Sequence, residues 1–447
     1  MESDLLSAVR FVPRYLRGLI TDAAPVPRDI ESVTSFKSQL ESDPESVGMD
    51  RSGVAAIWAC IEGMYATGMH PGISFVLRRH GKIVIKRAIG HARGNGPGDK
   101  EKTAVRMSPD TPVCLYSASK AMAAMTVHLL SERKQLSLLD PVSHYIPEFA
   151  QNGKQDISIY QLLCHKAGIP TVSADDNEDA AELLLDRREV LRRLYAAAPE
   201  KPGHHHAYHA LTAGFVIADL VERVAGVSFR RFFRENIAAP LGLRGLDFGA
   251  RGAVLSKLAT NYVTGLRLET PGDVYLRRAI GTSLRRAVEI SNDPRFYAAV
   301  IPAGNGVGTA DQCSKFFECL LNGGQLNGVR VFQPLTVRRA VAEVGKTEFD
   351  RSLLVPVRYS AGMMLGSANV GLFGPDTDKA FGHLGFTNNL IWADPERDIS
   401  VALLTTGKLI VGLHLPYLML LLRNISCYCP KLGEREQEKG LLASGTF

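Results

Sequence analysis

Apolar positions along the chain fall into a few distinct patterns, and each predicts an element. Over residues 51–67, Val54, Ile57, Trp58, Ile61 and Met64 recur at helical spacing on one side, the mark of an amphipathic helix. Ile73–Arg79 and Ile83–Ala88 are β-rich runs joined through His80-Gly81-Lys82, which reads as a hairpin. Residues 92–104 are rich in Gly, Lys and Asn and read as a loop. From Ser117 to Arg133 the chain is almost continuously apolar after its first turn (Ala121, Met122, Ala123, Ala124, Met125, Val127, Leu129, Leu130). A helix apolar on nearly every side is a buried one. Leu211–Val224 presents Phe215, Val216, Ile217, Leu220 and Val221 and stops at Gly226, as a helix does. Asn389–Ala393 and Ile399–Thr405 are strand-like around the turn Asp394-Pro395-Glu396-Arg397.

The order is strands, then helices, then strands. It predicts an α/β (α+β) body closed by both chain ends, with a mostly helical lobe inserted. The boundaries place an N-terminal helix and arm at 1–47, the Pro-, Ser- and Asp-rich stretch 22–48 serving as linker. A main domain follows at 48–408, its α/β part at about 48–140 and 350–408 and its helical lobe at about 141–349. A C-terminal helix and tail occupy 409–447. Two segments invite a membrane reading. Residues 5–20 alternate leucines and valines with Arg10, Arg14 and Arg17, a basic amphipathic pattern broken by Pro13. Residues 409–422 are strongly apolar but shorter than the roughly twenty residues a span needs. Packing against the body is the expectation for both, with peripheral membrane contact as the alternative.

Composition narrows the class further. The 447 residues are 45% hydrophobic and 22% charged, a globular balance. The net charge of +6 is scattered in short groups such as Arg230, Arg231 and Arg234, so no nucleic-acid partner is expected. Seven cysteines, an odd number with no zinc-type spacing, and Glu2 and Asp4 ahead of any apolar run point to a reducing, cytoplasmic setting.

Three clusters carry candidate chemistry. Ser117-Ala118-Ser119-Lys120 heads the buried helix. Residues three apart share one helical face, and a lysine beside a serine can take its proton and activate it. Free backbone N–H groups at a helix start also favour charge developing on an attacked carbonyl. Tyr208 follows Pro202-Gly203 and three histidines; a phenol near a cation loses its proton more readily and can act as a base. Consecutive histidines cannot all reach one ion, and no acidic or sulfur partner sits at ligand spacing, so neither metal nor cofactor is expected. Gly382-His383-Leu384-Gly385-Phe386 precedes the Asn389 strand, and its glycines let backbone approach a substrate.

Taken in order, S-x-x-K, a tyrosine motif and a Gly-rich edge-strand motif resemble the serine β-lactamase and penicillin-binding-protein superfamily. Similarity is greatest to class C β-lactamase-like carboxylesterases, the family VIII esterases, over roughly residues 48–407. Supporting stretches are Ser131–Phe149, Leu162–Pro170, Ala239–Leu243 and Ala303–Phe316. The resemblance implies a β-lactamase-like fold, Ser117 as nucleophile, and Lys120 with Tyr208 as its acid/base pair. It also implies an oxyanion hole from the backbone N–H groups of Ser117 and Phe386, with His383, Leu384, Gly385 and Trp392 shaping the pocket. Two departures bear on substrate. His383 stands where lactamases and peptidases carry the lysine of Lys-Thr-Gly, and Ala210 where Tyr-x-Asn has its amide. Neutral esters need neither group. The expected activity is hydrolysis of short- to medium-chain carboxylic esters as small-molecule substrates. Acyl transfer, β-lactam or D-amino-acid peptide hydrolysis, or an inactive scaffold are the alternatives.

Overall fold

Alternating side chains explain the central sheet. The structure, a computed structural model, describes residues 21–99, 104–171, 179–266 and 280–433. Eight strands form the sheet: β1 (Thr34–Phe36), β2 (Gly72–Arg79), β3 (Lys82–Arg93), β4 (Val105–Arg106), β5 (Met364–Leu365), β6 (Phe381–Gly385), β7 (Asn389–Asp394) and β8 (Ile399–Thr405). Their order is β5-β6-β7-β8-β2-β3-β1, with β4 paired to β3 and every pairing antiparallel. His80 and Gly81, both at positive φ, make the tight β2–β3 turn that a two-residue hairpin requires. β2 and β8 are buried at every position, as strands covered on both faces must be.

Helices cover those faces. α1 (Arg51–Ala66), α2 (Ser119–Glu132), α3 (Thr212–Ala225), α4 (Ala310–Leu321) and α5 (Leu415–Tyr428) are the long ones. Phe75, Leu77, Trp392, Val401 and Leu403 point to the α1–α5 side and share its core. Val76, Ile391, Ala393, Ala402 and Leu404 point the other way and join the core built around α2, α3 and α4. Twelve successive residues of α2, Ser119 to Leu130, are buried, as its sequence predicts.

The N-terminal arm departs from its linker reading, whereas the apolar C-terminal segment packs against the body as its pattern predicts. Thr34–Phe36, inside the stretch expected to be a linker, pairs with Arg87–Ile89 as an edge strand, because its extended backbone satisfies the open edge of β3. Residues 409–422 run into α5, which packs along α1; Leu421, Leu422 and Ile425 are buried in the shared core. No helix among the described residues is long and apolar enough to cross a membrane. Residues 5–20 lie outside the described set.

Candidate active site

The chain reaches Ser117 through a sharp change of direction. Val113–Cys114 pairs with Gly306–Gly308, and the Leu115 N–H donates to Gly306 O at 2.8 Å. Tyr116 then takes φ +49°, a left-handed conformation costly for a residue with a Cβ and met where surrounding structure enforces it. Its hydroxyl lies 2.6 Å from Ser291 Oγ and its ring 5.2 Å from Phe386. A 3-10 turn over Tyr116–Ala118 leads into α2. Helical spacing then brings Lys120 back to Ser117, with Nζ 2.8 Å from Oγ.

Lys120 is buried among neutral groups. Its Nζ donates to the Ala210 carbonyl at 2.6 Å and the Ala303 carbonyl at 3.1 Å. Burial without a carboxylate disfavours the charged form and holds its pKa well below the usual lysine value. Tyr208 comes from the distant loop, with Lys120 Nζ 4.7 Å from its ring centroid. That loop is fixed from below. The Tyr208 N–H donates to Asp350 Oδ1 at 3.1 Å, and Asp350 also accepts from the N–H groups of Ser352 and Leu353 and the hydroxyl of Tyr359. His165 Nδ1 accepts from the His209 N–H, and His209 Nε2 from the Ile169 N–H. Burial pushes both imidazoles down, His209 to about 3, so neutral rings act as acceptors here. These supports have no sequence motif of their own.

The third motif abuts the nucleophile turn. A Cβ on Gly385 would lie 2.1 Å from Leu115 O and 3.2 Å from Ala118 N, so only glycine permits this approach. The Asn389 amide donates to Cys114 O at 2.9 Å and anchors the same turn to β7. His383 is 1% exposed with Nδ1 2.7 Å from Leu384 O. Burial above all, with Lys120 as a close neighbour, pushes its pKa to about 3 despite that hydrogen bond. The side chain is therefore a neutral imidazole.

The pocket walls are not those expected. Trp392 pairs with Gly382 and Val401, which turns its ring to the α1–α5 face, stacked on Phe373 at 5.6 Å and 1% exposed. Leu384 is half-buried and packs against a cluster that also holds Tyr208 and Ala210. Strand register turns Trp392 away from Ser117, whereas His383 is buried with its ring centroid 6.1 Å from that of Tyr208. Instead, the cleft at Ser117 is lined by Ala181, Leu184, Leu211, Ile290, Phe296 and Phe386 among others. Most of these come from the helical lobe, where no motif marks them. Among the described residues no cluster of three metal-ligating side chains occurs; His206 instead places Nδ1 2.8 Å from Cys164 O.

An antiparallel sheet between two helical layers, with a serine and a lysine on the first turn of the buried helix, defines the serine β-lactamase and penicillin-binding-protein class. The chain belongs to the Beta-lactamase family, whose model matches residues 59–413, and is a serine hydrolase. It is 28% identical over 319 residues to the esterase/beta-lactamase LipL of Mycobacterium tuberculosis, covering 67% of this chain and 70% of that one. It is 28% identical over 300 residues to the esterase EstB of Burkholderia gladioli, covering 62% and 73% respectively. Among solved structures, a penicillin-binding-protein homologue from Caulobacter crescentus superposes with a TM-score of 0.71 at 26% identity, covering 85% of this chain and 99% of that one. A family VIII carboxylesterase does so with 0.70 at 25%, covering 84% and 99%.

Proposed function

We propose that the protein hydrolyses neutral carboxylic esters through an acyl-enzyme on Ser117. The observation that carries this reading is the 2.8 Å approach of a buried, charge-depleted Lys120 amine to the Ser117 hydroxyl. A neutral amine has two N–H bonds and one lone pair. The carbonyls of Ala210 and Ala303 take the two N–H bonds, which leaves the lone pair for the Ser117 O–H. Oγ attacks the ester carbonyl as its proton passes to Lys120, with the Tyr208 phenol sharing the transfer. The tetrahedral oxyanion is stabilised by the N–H groups of Ser117 and Phe386. Its collapse breaks the C–O bond to the alcohol, which leaves with the proton. Water then cleaves the acyl-enzyme by the same route.

Neutral substrates are favoured because the cleft offers a carboxylate nothing. Its described lining holds no Lys, Arg or Asp, and its only ionisable side chain is the Tyr116 phenol. His383 stays uncharged far below neutral pH. The word esterase in the names of both relatives agrees with ester hydrolysis, and LipL carries beta-lactamase in its name as well.

A fluorophosphonate probe is expected to label the enzyme and to fail on Ser117→Ala. Turnover of p-nitrophenyl esters should exceed that of nitrocefin by about a hundredfold, a gap near 3 kcal/mol. Labelling that survives Ser117→Ala would remove the nucleophile assignment, and equal rates on the two substrates would remove the argument from charge.

A further inference from the structure

The Ser117 cleft does not end at its own walls. A second apolar cavity adjoins it, and the two share Leu184, Ala210, Leu211 and Ile280. Beyond that neck the second cavity is walled by Leu183, Val190 and Phe215. None of its described lining residues is charged. Of its hydroxyls, that of Thr212 is spent on the Ile169 carbonyl at 2.7 Å. In the first cavity the Tyr116 hydroxyl is likewise taken, by Ser291. Leu184, Leu211 and Ile280, which line both cavities, are only half-buried, so the neck keeps accessible apolar surface. Water there gains few hydrogen bonds, whereas a hydrocarbon chain gains contact along its whole length.

We propose that this enzyme threads straight, medium-chain acyl groups from Ser117 past Leu184 and Leu211 into the second cavity, so that acyl length is read there. The assignment rests on the esterase reading above and adds to it the substrate class and the residues that set it. Chain length enters through burial: each methylene removed from water is worth about a fourfold gain in kcat/KM while the cavity still has room.

The test is kcat/KM for p-nitrophenyl esters from acetate to palmitate, measured on the parent and on two variants. In the parent the value should climb well past butyrate and then fall. Ala180→Phe projects into the second cavity alone and should lower the decanoate-to-acetate ratio at least tenfold. Leu211→Ala widens the neck and should move the optimum to longer chains. Moving the chain to the alcohol side, as decyl acetate, should forfeit the gain. A parent that declines with every methylene beyond acetate overturns the inference. So does an unmoved ratio in an Ala180→Phe protein that melts like the parent, or a gain confined to decyl acetate. In each of those cases Ser117-dependent acetate turnover leaves the esterase reading standing; turnover that persists in Ser117→Ala overturns both.

Discussion

Lys120 faces a conflict between burial and charge that its neighbours resolve in favour of the neutral amine. Its carbonyl partners and the Ser117 hydroxyl accept or supply hydrogen bonds without paying for a full ammonium. Arginine in its place keeps its proton at any working pH. Lys120→Arg should therefore lower kcat/KM by about 10²–10⁴-fold, the usual weight of a general base, although a nearby positive charge is retained. In the parent, the acid limb of kcat/KM should sit well below the ordinary lysine value of about 10.4, because activity appears as Lys120 loses its proton. A limb at that ordinary value, or an active arginine variant, would contradict the neutral-amine base. The Ser117–Lys120 pair was legible in the sequence because three-residue spacing at a helix start is a local matter. Asp350, which holds the Tyr208 loop, was not, since 142 residues separate the partners and nothing local marks the contact.

At the scale of elements, α1 and α5 depend on small residues at their seam. A Cβ on Gly63 would lie 2.3 Å from Tyr417 Cδ1, and one on Gly53 2.7 Å from Tyr428 Cδ1. Each glycine thus accepts a tyrosine ring, and the two helices meet closely enough for Asn424 to reach the Ala56 carbonyl. Gly63→Ala gains helix propensity yet forces the ring outward, and overpacking of this kind typically costs about 1–3 kcal/mol. Chemical denaturation should show a net loss of stability with ester turnover per folded molecule unchanged. A more stable Gly63→Ala protein would mean that the seam is loose. The helix and strand periods predicted α1, α2, α3 and the β2–β3 and β7–β8 hairpins closely. The pattern did not reveal which way each strand faced. Trp392 therefore looked available to the pocket, although its register with Gly382 and Val401 turns it into the opposite core.

The whole molecule carries an acid sensitivity set by its buried histidines. Burial pushes His383 and His209 to about 3 and His414 to about 4, and holds His70 and His165 well below the usual value. In the unfolded chain each would titrate near 6.5. Below that pH the unfolded state binds more protons than the folded one, so stability falls as pH drops from about 6.5 toward 4. Denaturation midpoints measured from pH 7.5 to 4.5 should decline more steeply than one proton can explain. A flat profile over that interval would show that these rings are charged, or hydrated, in the folded protein. Lys408, fully buried and depressed by desolvation to about 7, adds the same sign at higher pH: its cost is present below 7 and fades as pH rises toward about 10.4.

By itself the amino-acid order determined the elements, the buried helix bearing Ser117 and Lys120, and the three motifs that mark the family. All of these are properties of neighbouring residues, fixed by periodicity and local geometry. Tertiary structure alone decided which faces met: that His383 lies buried and neutral, that Trp392 belongs to the far core, and that the helical lobe lines the cleft. Those outcomes depend on strand register and on contacts between residues far apart in the chain, whose free energies enter only once the layers have packed.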